Sequence, residues 1–262
     1  MTSAPKALFF DVFGTVVEWR SCVTNALVSA AQQALNDPDR DIPADARARA
    51  STLTETDWLG VTEDWRRSYG VFTSNFDTST PFISVDQHHH TALQHLLTQR
   101  GVREVFTADE LWELTLAWHR LNPWGDTVRG LELLNTRFVT STLSNGNVSL
   151  LKDLKEFGGL PFKYLSSSEN FGAYKPSPKV YLGAAELLGF EPEQCVMVAA
   201  HLKDLQAAKS CGFRTVYVER EKEEDWSGEQ VVQAKKDGFV DIWVDLNTGG
   251  FVEVARRFGI VE

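Results

Sequence analysis

The chain has 262 residues, enough to bury a large core in one domain or in a core that carries an insert. Its composition, 43% hydrophobic and 24% charged, is that of a globular protein and not of a disordered one. A formal net charge of -10 leaves no basic footprint for nonspecific binding to nucleic acid or to an anionic membrane, so an anionic small substrate would need locally placed Arg or Lys.

In chain order, Met1 to Lys6 lacks the apolar stretch of a secretory signal, and no later run approaches bilayer length. Cys22, Cys195 and Cys211 are odd in number and show no metal-binding spacing, so they read as reduced thiols. Together these features predict a cytoplasmic protein. The apolar run Ala7 to Phe10 reads as a buried parallel strand, followed by Asp11 and the turn Val12-Phe13-Gly14-Thr15.

From Trp19 to Asn122 the sequence shows helical periodicity with little strand signal, far more chain than a crossover needs. It reads as an inserted helical domain, 19–122, within a core formed by 1–18 and 123–262. Breaks at Asn36 to Pro43 and Thr73 to Val85 interrupt its helices, and Pro123-Trp124-Gly125 marks the return. Further strands are predicted at Phe138 to Leu143, Tyr164 to Ser167, Val196 to Ala200, Thr215 to Val218 and Ile242 to Val244. Helical patterns such as Val148 to Phe157, Pro178 to Leu188 and Leu205 to Cys211 lie between them. The alternation predicts an α/β fold, a doubly wound, Rossmann-like parallel sheet whose ligand site lies beyond the C-terminal strand ends.

Those strand ends carry the chemistry. Asp11, at the end of the first strand, is placed as a nucleophile. Ser144 and Asn145 put a hydroxyl and an amide at a helix start, as caps, anion ligands or both. Lys175 precedes Pro176 and Pro178, which hold it in a rigid loop. Asp204 follows the strand at Val196 to Ala200, with Ala199, Ala200 and His201 before it. His88-His89-His90 is discounted as a metal tract, because consecutive helical residues point about 100 degrees apart. The acidic run Glu219 to Asp225 is expected to be solvated surface.

The segment around Asp11 resembles the first motif of the haloacid dehalogenase superfamily, whose phosphatase members carry a second Asp two residues later as acid/base. Here Phe13 stands at that position. A phosphomonoester needs a proton donor for its leaving alkoxide, whereas a halide leaves as a stable anion. With Thr15, Ser144, Asn145, Lys175, Tyr181 and Asp204 in order, the chain resembles the type II (S)-2-haloacid dehalogenases. That resemblance implies hydrolysis of short 2-haloacids and haloacetates to 2-hydroxy acids, with inversion, through an ester on Asp11.

It also implies roles. Lys175 keeps the nucleophile ionised, Asp204 orients or activates water, and Thr15 hydrogen-bonds the nucleophile or ester unless it caps a helix. Ser144 and Asn145 bind the substrate carboxylate, while Val12, Phe13 and Tyr181 line the pocket, Tyr181 alternatively packing its helix. His201 stands where relatives often have Asn, and either donates to halide or fills the pocket. In the insert, Asp64-Trp65-Arg66-Arg67 resembles the cap motif whose arginine attracts halide, with Arg66 preferred to Arg67. With acidic ligands depleted before Asp204, no magnesium or other cofactor is expected. The expected partner is a small 2-haloacid, and the resemblance suggests a homodimer. The rival readings are a phosphatase of the same fold and a noncatalytic binding protein.

Overall fold

A computed structural model describes residues 4–260, so the first three positions of the Met1 to Lys6 reading lie outside the described residues. In chain order the elements are β1 (Ala7–Phe10), β2 (Val17–Glu18), α1 (Arg20–Asn36), α2 (Ala44–Ala50), α3 (Glu55–Ser74), α4 (Val85–Gln99), α5 (Ala108–Thr115) and β3 (Asn122–Pro123). They continue with α6 (Thr127–Asn135), β4 (Val139–Ser144), α7 (Val148–Phe157), β5 (Tyr164–Ser167), α8 (Pro178–Leu187), β6 (Cys195–Ala199), α9 (Leu202–Ser210), β7 (Arg214–Val218), α10 (Gly228–Asp237), β8 (Ile242–Val244) and α11 (Gly250–Arg257).

Two compact units result, residues 1–18 with 122–262, and residues 19–121. Asn122, expected in the insert, belongs to the core unit because its backbone pairs with Glu18 across the antiparallel β2–β3 ribbon. The sheet of the core unit has six strands in the order β5-β4-β1-β6-β7-β8, every neighbouring pair parallel. β1 is fully buried, which explains its unbroken apolar run. Its neighbours β4 and β6 come from later in the chain on either side, so the topological switch point opens at Asp11.

Two strands sit one residue away from their expected spans, β4 later and β6 earlier. α9 begins at Leu202, three residues before the expected start, so Asp204 lies in its first turn, where the helix dipole favours an acid. α6 and α11 pack closely at Gly130, where a Cβ would overlap Phe251.

The insert is an all-helical unit. Capping boxes at Thr54, Ser84 and Thr107 start α3, α4 and α5. Its interior is aromatic: Trp118 stacks on Trp19 and meets Trp65 edge-on. The three consecutive histidines take different partners, His88 on Phe72, His89 on Trp118 and His90 on Trp112, so they pack and do not converge on an ion. Burial holds His89 well below the ordinary imidazole range. Among the described residues, no helix is long and apolar enough to cross a membrane.

Candidate active site

The backbone N–H of Asp11 donates to Val198 O at 3.0 Å, one ladder bond past the end of β1, and so fixes the residue on the sheet. The chain then turns through Gly14 at φ +81, a left-handed conformation suited to glycine. This tight loop brings Thr15 back under the carboxylate. Its hydroxyl donates to Asp11 Oδ2 at 2.8 Å and accepts from the Ala200 N–H at 2.9 Å, so Thr15 is a partner of the Asp11 carboxylate and not a helix cap.

Lys175 lies between two carboxylates. Its Nζ donates to Asp11 Oδ1 at 2.9 Å and to Asp204 Oδ2 at 2.6 Å. Tyr181 closes the set by donating its hydroxyl to Asp204 Oδ1 at 2.6 Å. On the opposite flank, His201 Nδ1 is 3.1 Å from Asp11 Oδ2. Asp11, Thr15, Lys175, Tyr181, His201 and Asp204 are thus joined by direct contacts, while Val12 and Phe13 are buried in the turn after β1.

The charges separate the two acids. Burial would raise the Asp11 carboxyl, but the Lys175 charge and then His201 more than offset it, leaving Asp11 well below the usual carboxylate range. For Asp204, burial and the Asp11 charge outweigh Lys175 and Tyr181, so its carboxyl is raised. Burial would lower the Lys175 ammonium, but the two carboxylates hold it above its ordinary value. At neutral pH the site therefore presents an ionised Asp11, a charged Lys175 and, in Asp204, the carboxylate that more readily accepts a proton.

A divalent metal does not fit this donor set. Hard cations need several free oxygen ligands, yet both oxygens of Asp11 and of Asp204 already face hydrogen-bond donors. Among the described residues, no group of three His, Cys, Asp or Glu is arranged to hold a metal.

The family model for haloacid dehalogenase-like hydrolases matches residues 5–212. The chain belongs to that family. The (S)-2-haloacid dehalogenase 4A of Burkholderia cepacia is 25% identical over 226 residues, which cover 84% of this chain and 86% of that protein. Among solved structures, the L-2-haloacid dehalogenase PA0810 is similar with a TM-score of 0.77 and 28% identity, covering 98% of this chain and 100% of its own. The defluorinating L-2-haloacid dehalogenase Rha0230 gives 0.76 and 28%, over 97% and 94% of the two chains.

In this haloacid dehalogenase-like hydrolase, Ser144 and Asn145 have local duties. Ser144 Oγ accepts from the Gly146 N–H at 3.1 Å, which leaves its own hydrogen to donate. Asn145 Oδ1 accepts from the Lys175 N–H at 2.8 Å and from the Ser168 hydroxyl at 2.7 Å, and its Nδ2 donates to Lys175 O at 3.3 Å. Asn145 therefore clamps the loop that carries Lys175. The first N–H of α7, on Val148, is taken by Glu169 Oε2 at 2.7 Å.

In the acidic run after β7, Glu221 and Asp225 are exposed as expected, whereas Glu223 and Glu224 turn inward. Glu223 is 4% exposed and its Oε2 is 3.7 Å from His201 Nε2. Glu224 Oε2 accepts from the Leu202 N–H at 2.9 Å. Charge clustering alone indicated solvent, whereas position beyond a C-terminal strand end, shared with Asp11, Ser144 and His201, was the signal that could have singled these residues out.

Within the insert, the Arg66 guanidinium lies 4.8 Å from the Tyr69 ring centre and 5.8 Å from that of Trp19. Arg67 instead pairs with Asp64 at 2.5 Å, and its side chain is 70% exposed. In the core unit, Cys195 is buried packing, with burial pushing its thiol up to about 12.

Proposed function

We propose that the protein hydrolyses short 2-haloalkanoic acids, haloacetates among them, to 2-hydroxy acids with inversion, through an ester on Asp11. The observation that carries this reading is an ionised Asp11 bonded to Lys175 while the buried Phe13 side chain occupies the position of the phosphatase acid. The names of the relatives at 25% and 28% identity support it.

In the first step, Asp11 attacks the carbon bearing the halogen from the opposite face. The carbon–oxygen bond forms as the carbon–halogen bond breaks, and its electron pair departs with the halide. No proton is needed, consistent with Phe13. Ser144, through its hydroxyl hydrogen, and Asn145, through the second hydrogen of its Nδ2, hold the substrate carboxylate beside Val12 and Phe13. Arg66 is the proposed halide-binding cation.

In the second step, water adds to Cγ of the ester. Asp204 accepts one water proton, as its raised carboxyl favours, and passes it to the departing oxygen of the product. Lys175 remains charged, and the second proton leaves as the Asp11 carboxylate re-forms. Free cysteines agree with a cytoplasmic setting, and the family resemblance with a homodimer.

The test is free halide from chloro-, bromo- and fluoroacetate and from both 2-chloropropionate enantiomers, with and without chelator. Chelator-insensitive halide release that favours the (S)-enantiomer is expected. Magnesium-dependent phosphate release from a generic phosphomonoester, without halide, would contradict the reading.

A further inference from the structure

Asp11 has two inequivalent oxygens. Oδ1 faces Lys175, whereas Oδ2 faces two groups, the Thr15 hydroxyl at 2.8 Å and His201 Nδ1 at 3.1 Å. The Ala200 N–H occupies a lone pair of Thr15 Oγ1, which aims the hydroxyl hydrogen at Oδ2. A donor pair already directed at the oxygen where charge develops is the arrangement that lowers the barrier for a tetrahedral intermediate.

An imidazole serves there only if hydrogen resides on Nδ1. The second ring nitrogen faces Glu223 Oε2 at 3.7 Å, and the Glu223 side chain is only 3% exposed. A ring between two carboxylates satisfies both when each nitrogen carries hydrogen.

Glu223 is held there by construction. A Cβ on Gly14 would overlap its carboxylate, so the acid packs into the space of the missing side chain. Arg220 anchors the same loop, with Nη1 and Nη2 on Asp126 at 2.5 and 2.9 Å and Nε on Thr15 O at 3.2 Å. Glu224 anchors it again at the Leu202 N–H.

We propose that Glu223 is a positioning residue that keeps hydrogen on His201 Nδ1, so that His201 and Thr15 form a two-donor oxyanion hole for hydrolysis of the Asp11 ester. The inference deepens the dehalogenase reading and rests on it. With the ester on Oδ1, Oδ2 is the carbonyl oxygen. Water oxygen bonds to Cγ, the carbonyl electron pair moves onto Oδ2, and a water proton passes to Asp204. On collapse the pair returns from Oδ2, the Cγ–Oδ1 bond breaks, and the Asp204 proton goes to Oδ1 in the product. His201 keeps both hydrogens throughout.

The test compares the full-length parent, Glu223→Gln and His201→Phe by rapid-quench halide release, steady-state turnover, intact mass and ¹⁵N-histidine spectra. A glutamine in place of Glu223 accepts from Nε2–H but lacks the charge of the carboxylate that faces that nitrogen, so a hydrogen on both ring nitrogens is no longer favoured. The first halide should appear at the parent rate within about threefold, while turnover falls about 100-fold, the loss typical of one oxyanion donor. The ester adduct should accumulate, and the His201 spectrum should change from two protonated nitrogens to one. His201→Phe should accumulate the same adduct, and adding Glu223→Gln to it should change turnover no further.

Unchanged turnover, an unchanged His201 spectrum, or equal loss of the first halide and of turnover without adduct would each overturn the proposal. Absence of halide from the parent with every acid tested would instead remove the dehalogenase reading, and this inference with it.

Discussion

Tyr181 donates its hydroxyl to Asp204 Oδ1 at 2.6 Å from a ring that is wholly buried. Burial and the adjacent Asp204 charge hold the phenol well above its ordinary value, so it stays a donor. Tyr181→Phe keeps the ring and removes this one bond from a buried carboxylate. The expected cost is about 1–3 kcal/mol in urea unfolding, with a loss of turnover in the hydrolysis step. Unchanged stability would show that Asp204 does not depend on the phenol.

Asn145 clamps Lys175 through both its N–H and its carbonyl. Asn145→Ala should lower kcat and reduce stability by about 2 kcal/mol, since buried backbone groups lose their partners. A rise in KM alone, at unchanged stability, would reduce Asn145 to a substrate ligand.

The depressed Asp11 carboxyl makes a pH prediction of definite sign. In the unfolded chain it titrates at about 4, and in the folded protein, despite burial, Lys175 and His201 hold it well below that value. Its pairing therefore contributes stability that is complete above about pH 4 and is lost as the pH falls further. Asp204, raised by burial and by Asp11, has the opposite sign, so the comparison belongs in an Asp204→Asn background. There, adding Asp11→Asn should remove a stability difference that is flat above about pH 4 and shrinks below it. Urea unfolding across pH checks this, and a difference that grows on acidification would refute the charge assignment.

Arg66 and Arg67 are adjacent but differently placed, one over aromatic rings and the other paired in solvent with Asp64. Arg66→Ala should lower turnover about 100-fold, in keeping with loss of an electrostatic stabiliser. Arg67→Ala should stay within about twofold, because exposed ion pairs contribute little. The reverse ranking in halide-release assays would move the halide role to Arg67.

The strand ends were legible because buried parallel strands leave unbroken apolar runs and their C-terminal ends share one edge. Ala7 to Phe10 and Tyr164 to Ser167 match their spans, and Asp11, Lys175 and Asp204 meet as their positions beyond those ends imply. Burial of Glu223 and the inward hydrogen bond of Glu224 were not legible, because they arise from a loop folding back on Gly14 and Leu202, a tertiary event that charge patterning does not encode. The same holds for Tyr181, whose helical position is readable while the partner of its hydroxyl is not.

The central claim is a covalent ester on Asp11 whose oxygen becomes the product hydroxyl. A single turnover in heavy-oxygen water, with enzyme in excess over 2-chloropropionate, tests it directly. The account predicts lactate carrying light oxygen and heavy oxygen incorporated at Asp11. Heavy oxygen in that first lactate, with Asp11 unlabelled, would contradict it.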